Sequence, residues 1–289
     1  MRMSRRFAQL DVFADRPGAG NPLAVVIDSQ DLDDEAMQAL ANWTNLSETT
    51  FLLPPTRPEA SYRVRIFTPR QELPFAGHPS VGSAHAAIEA GLVVPDDGHL
   101  VQECSAGLLP IRVDGEGDTR RIFVRAPQGR ALPLTPDQQA WSGVLDGLQL
   151  GALPAVLIDN GPNWWVVELA DEAAVRAMVP DLAAIARLTQ ATGAVGAAFF
   201  AHSTNSQYQM VVRAFCPADG IAEDPVTGSA NAAIGSWLQQ KDALRARRYV
   251  ASQGREVGRD GRVHVEVDNL RNVWVGGQTQ TVVNGELEW

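Results

Sequence analysis

The chain has 289 residues, 45% of them hydrophobic and 20% charged, a globular balance with ample material for a core. Its 24 Lys and Arg against 34 Asp and Glu give a net charge of -10, which argues against nucleic acid as a partner while leaving room for a small anion in a locally positive site. No run of about 20 apolar residues exists to span a membrane, and Cys104 and Cys216 lie too far apart for a disulfide framework or a zinc spacing, so a soluble, cytoplasmic protein is expected.

In chain order, a first strand leads through a Gly/Asn/Pro turn into a second, "PLAVVI" (22–27). "DDEAMQALANWT" (33–44) reads as a helix with acidic residues in its first turn, which suits the helix dipole. "TTFLL" (49–53) and "SYRVRIFTP" (61–69) read as strands, the latter ending at proline. "SVGSAHAAIEAGL" (80–92) is a helix of small apolar residues with no polar stripe, so it should be buried with strands close against it. "GLLPIRVDG" (107–115) and "RIFVRAP" (121–127) follow as strands.

The same plan then returns. "WWVVEL" (164–169), "LAAIARLTQ" (182–190), "AAFFA" (197–201) and "QYQMVVRAFCP" (207–217) repeat the order strand, helix, strand, strand. "TGSANAAIGSWLQQ" (227–240) is a second small-residue helix, and "RRYVASQG", "RVHVEVD" and "NVWVGG" close the series. "RIFTP" matches "RAFCP" at an offset of 148, "HPSVGSAHAAI" (78–88) matches "DPVTGSANAAI" (224–234) at 146, and "GNPLAVV" matches "GPNWWVV" at 141. A weaker match at 148 preserves Leu40/Leu188 and Phe51/Phe199. Such ordered repetition points to two similar halves. The fold class is therefore α+β, with two pseudo-symmetric domains, each a curved sheet around a central helix. The expected boundaries are 1–127, completed by a C-terminal strand at 278–289, and 128–277.

Three residues stand out chemically. His78 and Asp224 each precede a proline, and proline suits a first helical position. That places both near the N-caps of the two buried helices, with the N–H groups of "SVG" and "VTG" open to bind a carboxylate. Asp224 alone reads as an ordinary N-cap. His78 is a poorer cap, and its near-neutral titration suits acid–base work. Glu48 lies between a helix and an apolar strand, where burial would raise its pKa into a useful range, although an exposed capping role is an equal reading. Its counterpart at position 196 is glycine, so the site would have one main proton carrier. His85 reads as a structural histidine inside the buried helix; Trp43, Trp164 and Trp165 fit either the cleft lining or the core, with core the preferred reading for each.

"GNPLAVV", "NLSETTFLL", "FTPRQELPFAGHPSVGSAHAA", "AEDPVTGSANAA" and "SQGREVGRDGRVHVEV" together resemble the PhzF family of phenazine biosynthesis over nearly the whole chain. The resemblance implies the diaminopimelate epimerase-like fold, with a mixed sheet around a central helix in each half, an active site between the halves, and a homodimer. It implies a proton-shuttling role for Glu48 in isomerising a small carboxylate such as trans-2,3-dihydro-3-hydroxyanthranilate. His78 and Asp224 would flank the substrate, and Asn21, Gly77, Gly228 and Ser229 would hold it. No cofactor or metal is implied. The fold's two-thiol racemases place a cysteine in each helix-leading loop. Here neither loop has one, and Cys216 has Thr68 as its counterpart, so that chemistry is disfavoured. The alternatives are an epimerase or lyase acting on another small acid, or a binding protein with a vestigial pocket.

Overall fold

The computed structural model describes residues 4–133 and 140–289. It divides into two compact units, residues 1–125 with 276–289 and residues 126–275. Residues 134–136 of the "RAPQGRALPLTP" stretch lie outside the described residues.

The first unit comprises β1 (Ser4–Val12), β2 (Asn21–Val26), α1 (Asp34–Thr44), β3 (Thr49–Leu53), β4 (Tyr62–Phe67), β5 (Glu72–Leu73), α2 (Gly77–Glu89), β6 (His99–Cys104), β7 (Gly107–Asp114) and β8 (Arg121–Arg125). The last strand of the chain, β18 (Thr279–Glu288), returns to pair antiparallel with β1. From that edge the sheet runs β18, β1, β2, β3, β4, β6, β7, β8. The β2–β3 and β4–β6 pairs are parallel and the others antiparallel, which makes the sheet mixed. Helix α2 packs on β1, β2, β3, β4 and also β8, so the sheet curves around it.

The second unit repeats this arrangement with β9 (Arg130–Leu132), β10 (Val156–Asp159), β11 (Asn163–Glu168), α3 (Glu172–Ala177), α4 (Leu182–Thr192), β12 (Gly196–His202), β13 (Met210–Cys216), β14 (Ile221–Asp224), α5 (Gly228–Gln240), β15 (Arg248–Gln253), β16 (Gly261–Val267) and β17 (Val273–Gly277), the last two residues of which belong to the first unit. Its sheet order is β9, β10, β11, β12, β13, β15, β16. The β11–β12 and β13–β15 pairs are parallel, matching the first unit. Helix α5 packs on β10, β11 and β16.

The central helices are buried because they are made of small residues. Gly77 through Ala87 of α2 and Gly228 through Leu238 of α5 are all buried. A Cβ on Gly82 would lie 2.5 Å from Leu23 Cδ2 and 2.9 Å from Val12 Cγ2, so strand side chains fill the space where a side chain would stand. The outer helices α1 and α4 bury only one stripe each, Met37, Leu40 and Ala41 in α1 and Ala184, Ile185, Leu188 and Thr189 in α4.

The two halves share detail as well as order. Phe51 meets Phe67 edge-on at 5.5 Å, and Phe199 meets Phe215 in the same way at 5.9 Å. Arg65 lies over Phe67 and bonds Glu72, as Arg213 lies over Phe215 and bonds Glu223. Among the described residues, no helix is long and apolar enough to cross a membrane. Cys104 and Cys216 form no disulfide. Trp164 and Trp165 are core residues, but Trp43 is not. It is 69% exposed at the end of α1, with its ring 6.1 Å from that of Trp289.

Candidate active site

The first unit brings Asn21, Glu48 and His78 together. Gly20 precedes Asn21, and its amide donates to Asp11 Oδ1 at 3.1 Å. A Cβ at Gly20 would lie 2.2 Å from the Val12 carbonyl oxygen, so only glycine permits this close return of the chain. Asn21 is thereby buried at the first position of β2, opposite Val12.

Glu48 stands immediately before β3. Helix α1 ends on Asn45, whose left-handed backbone (φ 53°) turns the chain, and the Thr44 and Thr49 hydroxyls meet at 2.7 Å across the connection. This clamp fixes the short segment that carries Glu48, whose side chain is 15% exposed.

His78 is buried in the first turn of α2. Its Nε2 lies 3.4 Å from Glu48 Oε2, within ion-pair reach but outside good hydrogen-bond alignment. Its Nδ1 lies 3.4 Å from Asn21 Nδ2. Ser47 Oγ contacts Asn21 Oδ1 at the same distance, which turns the Asn21 NH2 toward the histidine. An NH2 has only protons to offer, so Nδ1 is the acceptor and the ring proton sits on Nε2, facing Glu48. Burial pushes the His78 imidazole down to about 3. The carboxylate 3.4 Å away favours the charged ring, but desolvation of a fully enclosed imidazole is the larger influence. Burial therefore favours the neutral form of His78, whose Nε2 lies 3.4 Å from Glu48 Oε2.

In the second unit Asp224 ends β14, buried, and Thr227 is the N-cap of α5. The Thr227 hydroxyl donates to Asp224 Oδ2 at 2.5 Å instead of capping its own helix. Ser229, in the first turn, accepts from Trp164 Nε1 at 3.1 Å, and its carbonyl accepts from Asn160 Nδ2 at 2.8 Å. The amides of Gly228, Ser229 and Ala230 precede the first intrahelical donor, Asn231.

Several expectations are corrected by these positions. Helix α2 starts at Gly77, with Ala76 as N-cap, so His78 is the second helical residue and not a cap, and Pro79 is the third. Proline fits there because first-turn amides have no intrahelical partner. The Ser80 amide is already bonded to Ala76 O at 3.2 Å, so the open amides of α2 are those of Gly77 and His78 and not those of "SVG". In "VTG", the Thr227 amide is taken by Gln253 Oε1. Asp224 lies three residues before the α5 N-cap, on a strand. The structural register is an offset of 151, which pairs Gly77 with Gly228 and His78 with Ser229, and not the offset of 146 that aligns His78 with Asp224. His85 is the buried structural residue expected, its Nε2 being 3.0 Å from Thr281 Oγ1. Residues that the sequence did not single out are Ser47, Thr227 and Gln253, and Trp164, read there by preference as core, proves to bond Ser229. The "SQG" stretch was the one available signal, and it said nothing of partners. Among the described residues, no three His, Cys, Asp or Glu side chains gather as metal ligands would.

The duplicated helix-in-sheet arrangement is the fold shared by the diaminopimelate epimerase and proline racemase group. Residues 10–285 match the family model described as phenazine biosynthesis-like protein, PhzC-PhzF, and the chain belongs to that family. It is 36% identical to antisense-enhancing sequence 1 of Schizosaccharomyces pombe, covering 97% of each chain. It is 32% identical to the trans-2,3-dihydro-3-hydroxyanthranilate isomerase of Pseudomonas aeruginosa, covering 91% of this chain and 90% of that one. The crystal structure of the Bacillus anthracis PhzF-family protein superposes with a TM-score of 0.83 at 26% identity, covering 99% of each chain. The chain is thus an enzyme of the isomerase type.

Proposed function

We propose that this enzyme shifts a double bond in a small cyclic or amino carboxylate, such as trans-2,3-dihydro-3-hydroxyanthranilate, with Glu48 as the proton carrier. The Glu48 carboxylate removes a proton from one carbon of the substrate's conjugated system. The resulting carboxylic acid returns a proton to another carbon of that system, so Glu48 is regenerated and no electrons leave the substrate. His78 keeps a neutral imidazole N–H beside the Glu48 carboxylate, and Asn21 fixes the tautomer that puts that proton on Nε2. In the second unit, Asp224 and the first turn of α5, with Gly228 and Ser229, are assigned to holding the substrate's polar groups.

One observation carries this reading: the 3.4 Å approach of Glu48 to a buried, neutral His78 backed by Asn21. A neutral imidazole is a poor acid at pH 7, which leaves the carboxylate to move the proton. The test follows the absorbance and NMR spectrum of dihydrohydroxyanthranilate with the wild-type protein and Glu48→Gln. A double-bond shift by the wild type, reduced about 10²–10⁴-fold in the variant with an unchanged melting temperature, is expected. No shift by the wild type across a panel of cyclic and amino carboxylates would refute the isomerase assignment.

A further inference from the structure

Gln253 ends β15 and has no solvent exposure. Its amide makes four hydrogen bonds, all to residues between Asp224 and Asn231. Oε1 accepts from the Thr227 backbone N–H and from Asn231 Nδ2, each at 3.0 Å. Nε2 donates to Thr227 Oγ1 at 2.8 Å and to the Asp224 carbonyl at 3.1 Å. The orientation of the amide is not arbitrary. A backbone N–H only donates, so Oε1 must face Thr227 N, and the NH2 must then face Thr227 Oγ1.

That fixes the sense of the next bond. Thr227 Oγ1 accepts a hydrogen bond from the Gln253 NH2, so its own O–H points away from it and donates to Asp224 Oδ2, 2.5 Å away. The result is a one-way chain, Gln253 to Thr227 to the Asp224 carboxylate. Thr227 gives up the usual use of an N-cap hydroxyl, a bond to an amide of its own helix, to make it. Rigidity comes from the following loop. Gly254 has φ +95°, and a Cβ there would lie 2.5 Å from the Pro225 carbonyl oxygen. A Cβ at Gly261 would lie 2.4 Å from Val226 Cγ2.

The first unit supplies a comparison. Gln102, at the offset of 151, is equally buried and donates to Ser80 Oγ, the counterpart of Asn231, while accepting from Tyr62. Anchoring the central helix to the neighbouring strand therefore needs only one bond to the helix. The additional bonds of Gln253 reach toward Asp224.

We propose that Gln253 is a positioning residue that acts through Thr227 to hold the Asp224 carboxylate in the orientation that receives substrate. This rests on Asp224 being a substrate-holding group. The test is a double-mutant cycle on the full chain, reading anthranilate binding by calorimetry. Asp224→Asn, Thr227→Val and Gln253→Leu should each weaken binding by about tenfold or more, the worth of a hydrogen bond to a charged group. Thr227→Ser, which keeps the hydroxyl, should recover affinity to within a few-fold of the wild type. The Asp224→Asn/Thr227→Val double variant should bind no more weakly than Asp224→Asn alone, since the two act as one unit. A Thr227→Val effect that multiplies that of Asp224→Asn would show a purely structural role and overturn the proposal. Crystal structures of Thr227→Val and Gln253→Leu decide without any ligand: an Asp224 carboxylate in its original place in both overturns it, and a displaced one supports it. Failure of wild-type turnover would instead strike the isomerase assignment and leave these readouts intact, so the two failures are distinguishable.

Discussion

His78 offers the sharpest test of the site, because its neutrality has a thermodynamic consequence. In the unfolded chain its imidazole titrates near 6.5, and in the folded protein burial holds it down to about 3. Between those values the unfolded state binds a proton that the folded state refuses. Stability is therefore full above about pH 6.5 and is lost as the pH falls toward 3. Integrating that difference gives a loss of about 2 kcal/mol at pH 5, approaching about 5 kcal/mol below pH 3. The Glu48 carboxylate 3.4 Å away eases protonation, so these figures are upper values. His85, pushed down to about 4, and His202, also lowered by burial, add losses of the same sign. Comparing the wild type with His78→Asn cancels them. Urea denaturation of both proteins at pH 7 and pH 5 should show the wild type losing up to about 2 kcal/mol more than the variant. Equal losses would refute the neutral-histidine reasoning. So would ¹⁵N shifts showing His78 titrating near 6.5, or a proton on Nδ1 at pH 7.

The other expectations follow from single contacts. Asn21→Leu removes the donor facing His78 Nδ1 and releases the tautomer, so turnover should fall about tenfold or more with folding retained, checked by kinetics alongside circular dichroism. Gly82→Ala forces a methyl group to within 2.5 Å of Leu23 and should cost about 1–3 kcal/mol, read as a lower urea midpoint. Glu223→Leu strands the buried Arg213, which also donates to the Val175 and Met178 carbonyls, and should destabilise by about 3–5 kcal/mol in the same assay.

The sequence carried the framework well where periodicity and composition act locally. The "TTFLL" run is β3 itself, and the small-residue segments are the two buried helices. The start of α2 was misplaced by three residues because Pro79 is as acceptable at the third helical position as at the first, and nothing local distinguishes them. The repeat of "GSA" and "AAI" was real, but small residues recur wherever a helix is tightly surrounded. Their identity favoured an offset of 146, while the strand contacts of Ser80 and Asn231 set 151. Trp43 reads as core from the sequence, yet it is exposed, and its place beside Trp289 depends on β18, far along the chain, returning to β1. The Gln253 clamp has no local signature. Gln253 joins side chains 22 and 26 residues away in sequence, and such pairs become visible only when β15 lies beside β13.

The two halves differ at the position of the proposed proton carrier. Glu48 precedes β3, and at the corresponding place β12 begins with Gly196. A Cβ at Gly196 would lie 2.5 Å from the Phe215 carbonyl oxygen, 2.5 Å from Trp164 Cζ3 and 2.8 Å from Cys216 Sγ. The Trp164 ring occupies that space, and its indole N–H is what holds the Ser229 hydroxyl. A second carboxylate could not enter at 196 without evicting the tryptophan that orders the first turn of α5. On the mechanism proposed above, Glu48 alone takes and returns the proton, on the same face of the substrate. In deuterated water a single carrier competes between returning the proton it removed and exchanging it with solvent, so the isomerised product should carry less than one deuterium per molecule. Full deuteration at the receiving carbon from the first turnover, together with inversion of the face attacked, would require a second proton donor and refute the single-carrier reading.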